Sequence, residues 1–432
     1  MLTVLSVLGT RPEAVKLAPV ILELQKRPDR VVSKVCVTAQ HRQMLDQVLR
    51  LFDITPDYDL NVMEDNQTPT QVASAVLARL EPILQAERPD WVLVQGDTTT
   101  VAAASLAAFY ARVKVGHVEA GLRTHDKWRP FPEEINRRVA GVIADPSTGS
   151  GHRLHFAPTE RARQNLLREG VPEDRILVTG NPVIDALHWV ATLPPTPQVS
   201  ELLERLGIVE ETGGQGDKGT GGQGDKGTRR NSLPLPVSPS PRLILVTAHR
   251  RENFGKPLEQ ICWALREIAQ TFAGDVHVVY PVHLNPNVQE PARRILGNVP
   301  GVTLTEPLDY LPLVHLMKLC YIVLTDSGGI QEEAPGLGKP VLVLREVTER
   351  PEAVEAGTVK VVGTETRTIV RETTRLLVDR AEYERMAHAV NPYGDGHAAE
   401  RVVAALLAYP ATNPSTRLRA CPEQSEGTGS TN

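Results

Sequence analysis

Residues 3–27 read TVLSVLGTRPEAVKLAPVILELQKR and contain the strand–turn–helix unit from which the fold can be inferred. Residues 3–8 are an apolar run typical of a buried strand, and residues 14–27 have the periodicity of a helix. The same alternation continues to residue 179 and begins again at residue 243. Short apolar strands separated by amphipathic helices are typical of parallel sheets covered on both faces. We therefore predict an α/β protein with two Rossmann-like, doubly wound domains and a ligand cleft between them.

The composition is that of an ordinary globular protein and disfavours several classes. Of 432 residues, 41% are hydrophobic, 23% are charged and 4% are aromatic, with a formal charge of −5. This balance disfavours a nucleic-acid surface, and no apolar run reaches the roughly 18 residues of a membrane span. The first residues read as a strand and not as a signal peptide. The widely spaced cysteines favour buried thiols in a reducing cytoplasm over a disulfide framework or a metal site. They are Cys36, Cys262, Cys320 and Cys421.

Three segments of unusual composition interrupt the strand–helix order. Residues 213–228 contain GGQGDKGT twice in tandem and precede a Pro-rich stretch, so we predict a low-complexity insert over about residues 211–242. We also predict a short insert at residues 146–153 and a flexible tail at residues 411–432. The predicted organisation is an N-terminal domain at 1–185, a C-terminal domain at 186–390 and a last helix at 391–410 that crosses back to the N-terminal domain.

The turn after the first strand suits an anionic ligand. It holds Gly9 as its only glycine, so it lacks the GxGxxG fingerprint of a dinucleotide site, and we predict no NAD. Arg11 and Lys16 lie where a strand leads into a helix, and a helix N-terminus favours negative charge. The alternative is a pair of ordinary surface cations. Their position at the carboxyl end of a strand favours a functional role.

Three carboxylates follow strands or begin helices in the first half of the chain. Asp97 ends the strand before GDTTT, Glu119 ends the next strand, and Glu133 falls in the first turn of a helix. Each alone is explained as a helix cap or a charge favoured by the helix dipole. Neighbouring strands would bring Asp97 close to Glu119. Several carboxylates at one edge shift each other's pKa values and can divide acid and base roles.

The second half places basic and glycine-rich turns after its strands. His249 follows the first strand together with Arg250 and Arg251, and a His with two Args suits a diphosphate. His283 alone is by default structural. The stretch TDSGGIQEEAP at residues 325–335 runs from a strand into a helix. The backbone N–H groups of its Gly pair can approach phosphate oxygens closely, and Glu333 could accept hydrogen bonds from ribose hydroxyls. A plain helix cap is the alternative.

Ten motifs in order resemble those of the non-hydrolysing UDP-N-acetylglucosamine 2-epimerases. The resemblance spans about residues 2–409 apart from the two inserts. Any one motif would be a weak signal, but the ordered set is specific. The motifs are GTRPEAVK (9–16), TAQHRQMLDQVL (38–49), GDTTT (96–100), GHVEAGLRT (116–124), PEEINR (132–137), TAHRREN (247–253), YPVHLNPNV (280–288), TDSGGIQEEAP (325–335), TERPEAVEAGT (348–358) and NPYGDG (391–396).

The resemblance implies a glycosyltransferase-B-like fold, a UDP-binding C-terminal domain and a homodimer. It implies reversible conversion of UDP-N-acetylglucosamine to UDP-N-acetylmannosamine for bacterial surface-polysaccharide synthesis, with no cofactor. The proton on C2 is not next to a carbonyl, so its direct removal is difficult. A route without NAD first expels UDP from C1, forms a 2-acetamidoglucal, and adds UDP back after protonation on the opposite face. This route requires diphosphate stabilisation and acid/base groups.

The resemblance also implies residue roles at matching motif positions. The matches to catalytic residues are Asp97, Glu119, Glu133 and His249. The matches to substrate-binding residues are Arg11, Lys16, Asn253, Ser327, Gly328, Gly329 and Glu333. Some bacterial members are activated by UDP-N-acetylglucosamine at an allosteric site whose matches are Gln40, Gln43, Glu133, Arg250 and His283. One further family position, an Arg in some members, falls near Asn66 or Gln67.

Two other functions remain open at this stage. A retaining glycosyltransferase on the same fold would need an acceptor, whereas an epimerase would not. A non-catalytic nucleotide-sugar sensor could lose Asp97, Glu119, Glu133 and His249, and all four are present. The sequence does not assign the base and the acid among the carboxylates.

Overall fold

A computed structural model describes residues 1–38, 42–64, 67–144, 155–205 and 241–408. The chain forms two compact units. The first consists of Met1–Pro182 with the segment that starts at His397, and the second of Val183–Gly396. The predicted insert at 146–153, the tail and all but the last two residues of the insert at 211–242 lie outside the described residues.

Among the described residues, the first unit contains a seven-stranded parallel sheet in the order β3-β2-β1-β4-β5-β6-β7. Its strands are β1 (Leu2–Leu8), β2 (Val31–Val37), β3 (Tyr58–Asp59), β4 (Trp91–Gln95), β5 (Lys114–Val118), β6 (His155–Ala157) and β7 (Ile176–Val178). Its first helices are α1 (Arg11–Gln25), α2 (Arg42–Leu51), α3 (Pro69–Glu87), α4 (Thr99–Tyr110), α5 (Glu133–Ile143) and α6 (Glu160–Arg168).

The core of the first unit explains why these strands form. Every residue of β4 is buried, and every residue of β1 except Thr3 is buried, as expected for central strands covered by helices on both faces. On one face, α4 packs between α3 and α5. Small buried residues such as Ala103, Ala104 and Ala107 let α4 lie close to its neighbours.

The second unit repeats the design with a six-stranded parallel sheet in the order β10-β9-β8-β11-β12-β13. Its strands are β8 (Arg242–Thr247), β9 (Val276–Pro281), β10 (Val302–Thr305), β11 (Ile322–Thr325), β12 (Val341–Val343) and β13 (Val359–Val361). Its helices are α7 (Pro182–Thr192), α8 (Pro197–Arg205), α9 (Lys256–Thr271), α10 (Pro286–Leu296), α11 (Tyr310–Leu319), α12 (Gly328–Gly336), α13 (Pro351–Glu355), α14 (Thr366–Val378) and α15 (Arg380–Ala387).

In both sheets the strand order reverses between two central strands. The reversal lies between β1 and β4 in the first unit and between β8 and β11 in the second. At such a switch point, the turns after the two strands diverge and leave room for a ligand at their carboxyl ends. The predicted α/β class with two Rossmann-like, doubly wound domains is confirmed.

The last helix, α16 (Ala398–Leu407), packs against α1 in the first unit. The prediction of a helix from residue 391 is wrong at its start, because α16 begins seven residues later. Residues 391–396 read NPYGDG, and Gly394 and Gly396 have φ values of 126° and 85°, which a helix does not allow. Asn391 Nδ2 instead donates a hydrogen bond to the Glu332 carbonyl within the second unit at 3.1 Å.

Over the ranges that the structure describes, no helix combines the length and the apolar character needed to span a membrane.

Candidate active site

The turn after β1 is organised by the buried carboxylate of Glu13. As the third residue of α1, Glu13 accepts hydrogen bonds from the backbone N–H groups of Gly9 and Thr10, the latter at 3.1 Å. This is a capping box, in which a glutamate satisfies N–H groups at the start of its own helix. Glu13 also accepts a hydrogen bond from the Thr98 hydroxyl, which belongs to the turn after β4. Arg11 begins α1 at the same edge and is half-buried.

Burial strongly affects the protonation of Glu13. Removal of the carboxyl group from water raises the pKa of Glu13 from its ordinary value of 4.5 to about 7, although three hydrogen bonds to the carboxylate oppose the rise. The charge of Asp97 contributes a smaller increase. Glu13 therefore titrates near neutral pH at the base of the turn that carries Asp97.

The turn after β4 presents Asp97 to solvent. Gly96 has φ = 82°, a left-handed conformation that favours glycine, and turns the chain sharply after the strand. Thr98 caps α4 by accepting a hydrogen bond from the Val101 N–H at 3.3 Å. Between them, the Asp97 side chain is 28% exposed.

Arg137 joins Asp97 to Glu119. From α5, the Arg137 guanidinium donates a hydrogen bond to Asp97 Oδ2 and another to the backbone carbonyl of Glu119, and its Nη2 lies 3.8 Å from Glu119 Oε1. The predicted proximity of the two carboxylates follows from the parallel pairing of β4 and β5, in which Gln95 is opposite Val118. The guanidinium charge compensates two carboxylates that would otherwise repel each other.

Glu119 is the buried member of this pair. Its side chain is 4% exposed, and its Oε2 accepts hydrogen bonds from Gln95 and from Lys16, the latter at 2.7 Å. Its backbone φ of 63° is unusual for a non-glycine residue and costs conformational energy. The first unit thus sets one buried, charge-paired carboxylate beside one accessible carboxylate.

Glu133 lines a cavity of about 270 Å³ at the same edge. It is the first residue of α5, as the sequence predicts. Its Oε2 atom is buried and has no hydrogen-bond partner among the described residues. The other residues around the cavity are Thr10, Gln67, Pro69, Val72, Thr98, Thr99 and Pro132. Glu133 therefore faces a cavity of mixed polar and apolar lining that the turns after β1 and β4 also border.

In the second unit, Asp326 ties two turns together. Asp326 directly follows β11 and is fully buried, and its Oδ2 accepts hydrogen bonds from the backbone N–H groups of His249 and Arg250, each at 2.8 Å. Asn253 Nδ2 donates to the same oxygen at 3.0 Å. Asn253, expected to bind substrate, is itself buried and holds this junction.

His249 is held in a defined position above Asp326. Its Nδ1 lies 3.7 Å from Asp326 Oδ1, and its ring stacks on that of His283 with a centroid distance of 5.5 Å. Burial lowers the pKa of His249 below its ordinary value of 6.5, and the charge of Asp326 opposes this effect. The neutral imidazole is therefore favoured at neutral pH.

The N-terminus of α12 is flanked by two arginines. Ser327 is the N-cap residue, and a Cβ atom added to Gly328 would lie 3.7 Å from Arg250 Nη2 and 3.8 Å from Arg350 Nη2. A Cβ atom added to Gly329 would meet no atom within 4 Å. Free backbone N–H groups, a helix dipole and two guanidinium groups converge on this open space, and together they suit a diphosphate.

Three residues to which the sequence alone assigns no role support the turns after β1 and β11. Arg350 is anchored by Glu332 and lies in the TERPE stretch, which on its own does not indicate a role for the arginine. Asp326 and Glu13 could have been found in the sequence in a similar way, because each is a carboxylate inside a motif and next to a turn. Glu333, the proposed ribose ligand, lies in α12 and is largely buried.

The candidate allosteric residues are described only in part. Gln40 and the side chain of Gln43 lie outside the described residues, as does Asn66. Gln67 borders the cavity at Glu133 and donates a hydrogen bond to the Val62 carbonyl at 2.7 Å. Within the described ranges, no cluster of three or more His, Cys, Asp or Glu side chains could hold a metal ion.

Comparisons with known proteins identify the family. A model of the UDP-N-acetylglucosamine 2-epimerase family matches residues 22–216 and 223–407. The chain belongs to the UDP-N-acetylglucosamine 2-epimerase family. The UDP-N-acetylglucosamine 2-epimerase of Salmonella typhimurium is 53% identical to it over 408 residues, which cover 94% of this chain and 98% of that protein.

Solved structures of the epimerase family agree with this fold. A putative UDP-N-acetylglucosamine 2-epimerase from Listeria monocytogenes is 45% identical, with a TM-score of 0.80 over 94% of this chain and 95% of that one. The UDP-N-acetylglucosamine 2-epimerase of Neisseria meningitidis, solved with UDP-N-acetylglucosamine bound, is 47% identical, with a TM-score of 0.77 over 94% of this chain and 100% of that one. The resemblance to the epimerase family and the glycosyltransferase-B-like fold are confirmed.

Proposed function

We propose that this protein interconverts UDP-N-acetylglucosamine and UDP-N-acetylmannosamine without a cofactor. The observation that carries the proposal is the arrangement at the switch point of the first unit, where Arg137 joins the accessible carboxylate of Asp97 to the buried carboxylate of Glu119. Inverting a carbon centre requires a group that removes a proton and a group that returns one. Membership in the epimerase family supports the same activity.

The proposed reaction has two stages. In the first, the C1–O bond to UDP breaks with its electron pair on the leaving oxygen, and a carboxylate takes the proton from C2, which leaves a 2-acetamidoglucal. In the second, an acid returns a proton to the opposite face of C2, and the UDP oxygen attacks C1. Atoms and charges balance over the cycle, and UDP is recovered in the product.

We assign proton transfer to Asp97 and Glu133. Asp97 is accessible to solvent. Glu133 has an oxygen without a hydrogen-bond partner among the described residues, and it lines the cavity that the turn carrying Asp97 borders. Glu119 has Lys16 and Gln95 on one oxygen, so we assign it a supporting negative charge that favours the positive charge developing at C1. Which of Asp97 and Glu133 removes the proton depends on the direction of the reaction.

We assign UDP to the second unit. The N-terminus of α12 at Ser327, Gly328 and Gly329, with Arg250 and Arg350 beside it, supports a diphosphate site. A neutral His249 can donate a hydrogen bond to the leaving oxygen and so stabilise the negative charge that develops there. Glu333 is assigned to the ribose hydroxyls, and Arg11 to substrate binding, as its motif position implies.

Further parts of the proposal concern assembly and regulation. We propose a cytoplasmic homodimer that supplies surface-polysaccharide synthesis and is activated by UDP-N-acetylglucosamine through Arg250 and His283. Self-association is supported by two exposed aromatic residues at the end of α4, Phe109 and Tyr110, beside a groove of about 420 Å³ between α3 and α4. Sedimentation at several protein concentrations tests the dimer.

An Asp97→Asn variant tests the assigned chemistry. We expect turnover to fall by a factor of about 10² to 10⁴, the usual contribution of a positioned acid or base, whereas UDP affinity stays unchanged. Asp174→Asn, an exposed aspartate in the same unit, is the matched control and should turn over like wild type. Wild-type turnover of Asp97→Asn would remove Asp97 from the reaction.

A further inference from the structure

Two buried residues hold the turn that carries Asp97, and neither has a part in the proposed reaction. His117, on β5, is fully buried, and its Nε2 lies 2.8 Å from the carbonyl oxygen of Gly96. A carbonyl oxygen can only accept a hydrogen bond, so Nε2 carries the proton. Burial, with the charge of Arg137, lowers the pKa of His117 to about 3, so the ring stays neutral.

Glu13 holds the other side of the same turn. A glutamate in a capping box needs only the N–H groups at the start of its own helix. Glu13 makes those contacts and in addition accepts a hydrogen bond from the hydroxyl of Thr98, 85 residues away in the chain. This contact links the turn after β1 to the turn after β4.

We propose that His117 and Glu13 are positioning residues for Asp97. The proposal rests on the proposed catalytic role of Asp97. Gly96 and Thr98 are its two chain neighbours, so fixing the carbonyl of one and the side chain of the other restricts the backbone on both sides. Arg137 then orients the carboxylate itself. His117 and Glu13 are buried beneath the turn and act through it.

Two substitutions of His117 separate positioning from mere stability. Gln can place its Nε2 donor where the histidine Nε2–H lies, whereas Leu fills the space without a donor. We expect His117→Leu to lower kcat about 100-fold with KM within about twofold of wild type, because a small displacement of a catalytic group can cost that much. We expect the kcat of His117→Gln to be at least tenfold higher than that of His117→Leu.

A histidine in the second unit provides the control. The Nε2 atom of His277, on β9, lies within hydrogen-bond distance of a neighbouring segment, 2.9 Å from the Thr303 hydroxyl on β10. His277→Leu should therefore lose a comparable contact and keep the wild-type kcat. Wild-type kcat for folded His117→Leu, or equal impairment of the Leu and Gln variants, would overturn the role of His117.

The Glu13 contact gives a second test that does not depend on the folding of His117→Leu. Thr98→Ser keeps the hydroxyl that donates to Glu13, and Thr98→Val removes it. We expect the Val variant to lose kcat at least tenfold relative to the Ser variant, with KM within about twofold. Equal kcat values, or a change confined to KM, would overturn the positioning role.

Asp97→Asn, measured in parallel, separates the two proposals. If Asp97→Asn turns over like wild type, the proposed role of Asp97 fails and the positioning role fails with it. If Asp97→Asn is inactive while folded His117→Leu and Thr98→Val turn over like wild type, only the positioning role fails.

Discussion

Replacement of Glu13 by glutamine should change how the stability of the protein depends on pH. Glu13 is almost completely buried, and its burial raises the pKa of the carboxyl group from 4.5 to about 7. Glutamine has nearly the same shape and no titratable proton. The difference in unfolding free energy between wild type and Glu13→Gln therefore isolates the titration of this one group from that of all the others.

The sign and size of the effect follow from proton linkage. Below pH 4.5, Glu13 is protonated in both the folded and the unfolded chain. Between pH 4.5 and about 7, the unfolded chain releases this proton first, so raising the pH favours unfolding. Each pH unit of difference in pKa is worth about 1.4 kcal/mol, so wild type should lose about 3 kcal/mol relative to Glu13→Gln across this interval. Above about pH 7 the difference should stay constant.

Urea unfolding at pH 4.5 and pH 8 measures this difference. Tryptophan fluorescence follows the unfolding, and Trp91, fully buried in β4 next to β1, contributes the signal from the core of the first unit. The control is Glu160→Gln, because a hydrogen bond from Gln164, with Arg163 nearby, lowers the pKa of the exposed Glu160. The difference in unfolding free energy between wild type and Glu160→Gln should change only slightly with pH. Its sign should be opposite to that for Glu13, because wild type loses this stability as the pH falls. A wild-type-minus-Glu13→Gln difference in unfolding free energy that does not change with pH would show that the pKa of Glu13 is not raised in the folded protein.

Three further predictions concern the two turns. Arg137→Met should lower the unfolding free energy by about 3–5 kcal/mol, because it leaves the carboxylates of Asp97 and Glu119 without their shared cation. A loss under about 1 kcal/mol in urea unfolding would contradict this expectation. Gly329→Ala should keep the wild-type melting temperature, since the added Cβ meets no atom within 4 Å. The same variant should weaken UDP binding at least tenfold in calorimetry, and unchanged affinity would remove this turn from the UDP site. Asp326→Asn should lower the unfolding free energy by about 1–3 kcal/mol and should also weaken UDP binding, because in the wild type one charged oxygen of Asp326 accepts from three donors. Wild-type values of both quantities would show that the junction is dispensable.

The central strands were predictable because they are apolar at nearly every position. β4 and β11 are buried throughout, and their sequences contain no competing helical pattern. The edge strand β3 has only two residues and left no recognisable signal. Burial on both faces makes a strand visible in a sequence, and edge strands lack it.

The helix α3 was missed although its sequence contains a clear start signal. Thr68 caps the helix, Pro69 is its first residue, and Gln71 completes a capping box. Its buried residues recur every four positions, at Val72, Val76, Leu80 and Leu84. The predicted start of α16 at residue 391 is too early because the glycine-rich stretch NPYGDG lies before the helix and is not part of its amphipathic pattern.

The site was predictable where it depends on strand order and not where it depends on side-chain partners. Adjacent parallel strands bring Asp97 and Glu119 together, and that inference needs only the sequence of elements. The choice of Arg137 as their shared cation depends on how α5 packs beside them. The contact between Glu13 and Thr98 depends in the same way on the approach of two turns that are far apart in the chain.

Incubation with UDP-N-acetylglucosamine alone in D₂O distinguishes epimerisation at C2 from the other reactions open to this fold. The substrate is supplied in excess so that it can also serve as activator, and no acceptor sugar is added. We expect NMR to detect UDP-N-acetylmannosamine with deuterium at C2, with UDP still attached at equilibrium apart from traces of free intermediate. Release of free N-acetylmannosamine with UDP, or no C2 exchange at all in folded protein, would contradict this expectation.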